Sequence, residues 1–122
     1  MTASLMVEDE YDRYDAVGLA GLISKGELAP IELIETAISR IESRNPKLNA
    51  VISTCFDAAR DSVSRGLPAG PLAGIPYLVK DLNTLLAGVP ATNGSRAFAD
   101  TIPEYDGILV SRLKAAGLVI LG

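Results

Sequence analysis

Lys80 is the side chain in this sequence best placed to do chemistry. It nearly closes residues 75–81, IPYLVKD, and follows a stretch in which Pro68, Gly70, Pro71 and Gly74 supply turn chemistry. Alternation along a strand there puts Ile75, Tyr77 and Val79 on one face and Pro76, Leu78 and Lys80 on the other. An amine at the end of such an apolar row has two readings, and the pattern leaves both open. In one it snorkels to water as a surface charge. In the other it is buried and acts as a base, which requires its pKa to fall from about 10.4 by roughly three units, a cost of ~4 kcal/mol against the charged form. Desolvation in an apolar pocket supplies that shift, and the amine can then take a proton from a hydroxyl directly or through a second hydroxyl. Asp81 points to the other face and is expected to anchor the following loop through backbone bonds rather than to pair with Lys80. Tyr77, on the face away from Lys80, is expected in the core.

Absences narrow the chemistry further. With no histidine and one cysteine, the chain cannot supply a Ser-His-Asp triad, a Cys-His pair or an ordinary zinc site. The remaining bases are lysine, carboxylate and tyrosine. Cys55 has no partner for an internal disulfide and reads as core filling. The loop GPLAG lacks the G-x-x-x-x-G-K-[ST] pattern of a phosphate cradle, so no ATP site is expected. A net charge of -4 with scattered Lys and Arg offers no basic patch for nucleic acid. No apolar run approaches the ~18 residues of a membrane span, and the acidic start lacks the segments of a signal peptide, so a cytoplasmic location is expected.

The elements that must position Lys80 follow from periodicity. At 122 residues, one domain is the upper limit, and a hydrophobic share of 48% argues against disorder and for apolar surface that wants a partner. Residues 1–14, with Glu8, Asp9, Glu10 and Asp12 close together, show no periodicity that would bury a face and are expected to form a flexible leader. Asp15 is placed to cap a short helix through Leu19, Leu22 and Ile23, with Lys25 and Gly26 as its stop. Pro30 opens the clearest helix, whose stripe is Leu33, Ile34, Ala37, Ile38 and Ile41 and which Asn45 and Pro46 are expected to close. Residues 50–54 read as a short strand, and residues 57–65 as a polar helix with Ala58, Ala59 and Val63 on its apolar side, ended by Gly66. Asp106 is expected to cap a last helix with Leu109, Val110, Leu113 and Ala116 inward and Gly117 as its stop. Residues 118–121, LVIL, then read as an interior parallel strand. Strands alternating with helices in this way indicate an α/β layered fold. An interior strand with nothing after it leaves an edge uncovered, so the expected organisation is an N-terminal part of a domain over residues 15–122, truncated after the strand at 118–121.

The ordered set GPLAGIPYLVKDL, GVPATNGSRAF and YDGILVSRLKAAGLVILG resembles the amidase signature family, and APIELIETAISRIESRNPKLNAVI resembles that family's opening helix and first strand. The resemblance implies the N-terminal portion of the amidase signature fold, a mixed sheet flanked by helices that is incomplete on its own. It also implies hydrolysis of a carboxylic amide by a Ser–cis-Ser–Lys triad. The family's lysine stands in a G-I-P-x-x-x-K-D context that Gly74, Ile75, Pro76, Lys80 and Asp81 reproduce, which assigns Lys80 the catalytic base. The triad serines and oxyanion hole lie in a Gly- and Ser-rich tract that this sequence does not reach, so the chain alone is expected to be inactive. Ser95 reads as a turn hydroxyl and Ser111 as an exposed helix residue, and neither matches a triad position.

The wording of the motifs is similar to that of 6-aminohexanoate-cyclic-dimer hydrolase-like amidases. The expected partner is a small-molecule amide, with no metal or cofactor, and a homodimer of the full-length enzyme is left open. Two alternatives stand beside this reading. One is the amide-transferring subunit of a tRNA amidotransferase, and the other a non-catalytic α/β binding module in which Lys80 is a surface charge.

Overall fold

The computed structural model describes Met6 and residues 8–122. In chain order its elements are α1 (Glu8–Tyr11), α2 (Ala16–Ser24), α3 (Pro30–Leu48), α4 (Phe56–Arg65), β1 (Pro76–Tyr77), a 3-10 turn (Arg96–Phe98), α5 (Ile108–Ala115) and β2 (Val119–Ile120). β1 and β2 pair in parallel with Pro76 opposite Val119 and Tyr77 opposite Ile120. Amide-to-carbonyl bonds extend the pairing in both directions, from Gly74 to Gly117 (2.9 Å), Val119 to Ile75 (2.8 Å), Leu121 to Tyr77 (2.9 Å) and Val79 to Gly122 (3.0 Å). A parallel strand therefore lies within the stretch expected at residues 118–121, as β2 of a two-stranded sheet, and all four side chains of that stretch are buried.

Those four side chains divide the core. Val119 and Leu121 pack with Ile34, Ala37 and Ile38 of α3 and Ala59 of α4. Leu118 joins Leu19, Leu28, Leu33 and Ile75, and Ile120 meets Leu86 and Val110. Burying each aliphatic side chain is worth ~1.5–3 kcal/mol, so β2 is held from both faces by its own composition. A close crossing brings the end of α5 onto the loop that feeds β1. A Cβ added at Gly70 would stand 2.4 Å from the Ala116 carbonyl oxygen, and one added at Gly117 2.5 Å from the Ala73 Cα. Gly117 also has φ +91°, in the left-handed region.

The elements follow the sequence with five differences. Asp15 caps α2 by accepting from the Gly18 amide at 2.8 Å, and Pro30 occupies the first turn of α3, both as expected. α3, however, runs through Pro46 to Leu48. Pro46 falls in the last turn, and beyond it the Asn45 side chain clasps the chain, accepting from the amides of Ala50 and Val51 and donating to the Val51 carbonyl, each at 2.9 Å. Residues 50–54 form no strand, and the clasp takes up the Ala50 amide and both backbone polar groups of Val51. On α4, Ala59 is buried and Val63 packs against the core, but Ala58 faces out. On α5 the cap is Gly107 rather than Asp106, whose carboxylate instead accepts from the Ala87 amide (2.9 Å) and the Lys114 ammonium (2.6 Å). Leu109, expected inward, is 58% exposed, while Val110 is fully buried.

Of the stretch expected to be a leader, residues 1–5 and 7 lie outside the described residues. Met6 is buried in the core and its amide donates to the Thr36 hydroxyl at 3.0 Å. Asp12 pairs with Arg40 at 2.6 Å, and the Arg40 guanidinium lies 4.6 Å from the centre of the Tyr11 ring. This part of the chain thus has a buried contact that its charge-rich pattern does not announce.

The α3–α4 contact carries a bidentate ion pair, Arg60 Nε to Glu35 Oε1 at 2.6 Å and Nη2 to Oε2 at 3.0 Å. The hydrogen bond from Arg60 holds the Glu35 carboxyl below its usual range against the upward push of desolvation. The Arg60 side chain is 40% exposed, so solvent screening limits the pair to the surface range. Because the folded value is depressed, the pair contributes stability above the unfolded glutamate value of about 4.3, and that contribution is lost as pH falls through the lower folded value. Glu35→Gln should lower the unfolding free energy by roughly 0.5–1 kcal/mol at pH 7 in a denaturant titration. The same difference persisting at pH 2 would show that the carboxylate is not what Arg60 holds.

Candidate active site

The backbone around Lys80 is fixed on both sides. Upstream, Gly74 at φ +86° turns the chain into the pairing with β2, and the last bond of that pairing runs from the Val79 amide to Gly122. Downstream, Asp81 accepts from the Thr92 amide at 2.8 Å, from the Thr92 hydroxyl and from the Asn93 amide at 3.4 Å. Asn93 returns the connection by accepting from the Asn83 amide at 2.9 Å, and both asparagines adopt left-handed backbone conformations. This is the loop-anchoring role expected of Asp81. The Thr92 hydroxyl bond, helped by the backbone amides of Thr92, Asn93 and Gly94, holds the Asp81 carboxyl below its usual range despite desolvation.

The Lys80 side chain is exposed. That differs from the dry environment a neutral amine requires, and the reason is local. Leu78 is 46% exposed and Pro76 half-buried, so the apolar row that precedes Lys80 looks outward with nothing among the described residues lying over it. Tyr77 is also 41% exposed, contrary to the expectation of core packing. Only Ile75 and Val79 of this run turn into the interior, against separate parts of the core.

Lys80 borders a hollow of about 160 Å³ whose walls include Val51, Ser53, Leu78, Thr84, Val89 and Pro90. Two hydroxyl residues, Ser53 and Thr84, thus share a cavity with the amine, and nothing in their spacing in the sequence marks them. Ser95 and Ser111 stand elsewhere. The Ser95 hydroxyl caps the 3-10 turn by accepting from the Ala97 amide at 3.3 Å, and Ser111 is exposed on α5. A larger hollow of about 820 Å³, lined by Cys55, Arg60 and Lys114 among others, does not include Lys80. Burial pushes the Cys55 thiol up despite the Lys114 charge, which keeps it protonated near neutrality. Among the described residues, no group of three or more His, Cys, Asp or Glu side chains is gathered as a metal site, and no helix is long and apolar enough to cross a membrane.

What surrounds Lys80 is a strand end, a stapled Gly- and Pro-rich loop and a buried parallel partner, and residues 32–122 match the Amidase family model over that whole arrangement. The chain belongs to the amidase signature family. It is 43% identical over 116 residues to a subunit of the glutamyl-tRNA(Gln) amidotransferase of Salinispora tropica, covering 89% of this chain and 23% of that protein. It is 37% identical over 110 residues to the 6-aminohexanoate-cyclic-dimer hydrolase of Paenarthrobacter ureafaciens, covering 88% and 22%. The solved structure of a 6-aminohexanoate cyclic dimer hydrolase superposes with a TM-score of 0.82 at 36% identity, over 89% of this chain and 23% of that one. The peptide amidase of Stenotrophomonas maltophilia superposes at 0.77 with 33% identity, over 92% of this chain and 24% of that one. The α/β fold expected from the motifs is therefore the one adopted, and the chain spans about a quarter of the length of these relatives.

The clasp at Asp81 has a pH signature. Its depressed folded pKa means that the contacts hold above the unfolded aspartate value of about 3.9 and are lost as pH falls through the lower folded value. In an NMR titration the Thr92 and Asn93 amide shifts should move together with a midpoint below ~3.9. A midpoint at or above that value would mean that the clasp is not formed in solution.

Proposed function

We propose that residues 15–122 form the N-terminal part of an amidase domain in which Lys80 is the general base of a Ser–cis-Ser–Lys triad. The observation that carries this reading is the placement of Lys80. It directly follows a run held bond by bond against β2, borders a hollow, and lies in the G-I-P-x-x-x-K-D context of the family to which the chain belongs. Ser95 and Ser111 do not share that hollow and Ser53 supplies only one serine there, so the proposal takes the triad serines from other sequence of the parent enzyme and expects the 122-residue chain to be inactive by itself.

In the reaction, the neutral Lys80 amine takes the proton of the bridging serine as that serine takes the proton of the nucleophilic one. The nucleophilic oxygen then attacks the amide carbonyl. Collapse of the tetrahedral intermediate breaks the carbon–nitrogen bond, the departing amine receives the proton back through the same relay, and water releases the acid from the acyl-serine. The Lys80 side chain is exposed, whereas a neutral amine needs dry surroundings. The proposal therefore includes a cover for the Pro76–Leu78–Lys80 row, supplied by the part of the enzyme that brings the serines and making the base dry only in the assembled site.

A second reading, the amide-transferring component of a tRNA amidotransferase, is favoured by the 43% identity to one such protein. The two share the lysine chemistry and the release of the acid from the acyl-serine by water, and differ in whether the freed ammonia leaves to solvent or is passed to a second acceptor. Lys80→Ala in the full-length enzyme should lower amide turnover by about 10²–10⁴-fold with the melting temperature unchanged within a few degrees. Turnover near the parental rate would remove Lys80 from the mechanism, and ammonia release by the 122-residue chain alone would show that the serines need not come from elsewhere.

A further inference from the structure

We infer that Asp81 is a positioning residue that works through Thr92 and Asn93 to set where the Lys80 amine stands relative to the hollow. The inference rests on Lys80 being the base. Lys80 itself makes no hydrogen bond or ion pair among the described residues, so its location is set by its backbone and not by a partner at its tip. That backbone is pinned at both neighbours. Val79 is tied to Gly122 by its amide, and Asp81 is tied through its side chain to residues eleven and twelve positions further along the chain.

The second tie also shapes the cavity. The connection from Asp81 and Asn83 to Thr92 and Asn93 closes a loop whose span contributes Thr84, Leu86, Val89 and Pro90 to the wall facing Lys80. The same few bonds therefore fix the amine's anchor and the apolar surface beside it. Exposed lysines are among the most mobile side chains, and a base displaced by about 1 Å can lose a hundredfold in rate, so a stapled neighbour is where such a site gains its geometry. Asp81 does not serve as an ion-pair partner here, because its oxygens are occupied by Thr92 and Asn93.

The test uses the full-length enzyme with Thr92→Val, which removes the hydroxyl donor, Thr92→Ser, which restores it, and Asp81→Asn, which keeps one oxygen acceptor. Each protein is assayed on a simple amide at a temperature where its melting curve shows it folded. For a positioning role, kcat of Thr92→Val should fall about 10- to 100-fold with KM within about twofold, Thr92→Ser should return to within about threefold of the parent, and Asp81→Asn should lie between. Parental kcat in Thr92→Val and Asp81→Asn, a loss confined to KM, or a loss that Thr92→Ser shares in full would overturn the inference. If Thr92→Val does not fold, Asp81→Asn and Thr92→Ser carry the same comparison. Lys80→Ala run alongside keeps the two ideas apart: its turnover reports on the base, and the Thr92 pair reports on the staple alone.

Discussion

The burial of one short parallel strand on both faces is the constraint from which the rest of the structure follows. Leu118, Val119, Ile120 and Leu121 are all interior, and between them they reach three separate parts of the core. α3 and α4 cover one side and Leu86 with Val110 the other, so the strand has no polar face to offer water. Its pairing then dictates the path of the chain from Gly74 to Val79. The site is a by-product of that path. Lys80 is the first residue past the paired run, and its position in space is the position at which β2 stops holding its neighbour.

That arrangement separates two demands that the role of base proposed for Lys80 would make. A base needs a fixed anchor and a dry tip, and the chain supplies the first without the second. The anchor comes from the sheet and from Asp81, while the tip reaches an open surface beside Tyr77 and Leu78. Dividing the work in this way lets a protein fold without carrying a desolvated amine through folding, since an uncharged buried lysine costs several kcal/mol against its solvated form. The exposed apolar row next to Lys80 is the complementary half of the same arrangement, because apolar surface of this kind gains most when covered.

Much of this was legible in the residues. The stripe of α3, the Asp15 cap, the interior strand at 118–121 and the loop-anchoring Asp81 all follow from short-range rules, where a residue's chemistry and its immediate spacing determine the outcome. The misreadings come from contacts that spacing does not encode. Pro46 has the look of a helix end because proline lacks a donor, but α3 continues to Leu48 and the Asn45 side chain makes the turn beyond it. Residues 50–54 have strand composition but form no strand, with Ala50 and Val51 held by the Asn45 side chain. Asp106 has cap chemistry, yet Ala87 and Lys114 compete for its oxygens, and its carboxyl, which desolvation pushes up, is drawn below its usual range by those two bonds. The exposure of Tyr77 is likewise invisible in the sequence, and the choice between a buried and a water-exposed Lys80 stays open there, since alternation along a strand says which side chains share a face and not whether anything lies on it. Ser53 and Thr84 reach the hollow through folding alone.

The crossing of Gly70 and Gly117 with the chain segments opposite them bears on how such a sequence can change over generations. At both places one backbone rests directly on another, with no intervening side chain to shrink or bend in compensation. Any other amino acid adds at least a methyl group where main chain already stands, so a substitution at either site must push two backbones apart. The lysine strand thereby inherits its placement from two residues that carry no functional group at all.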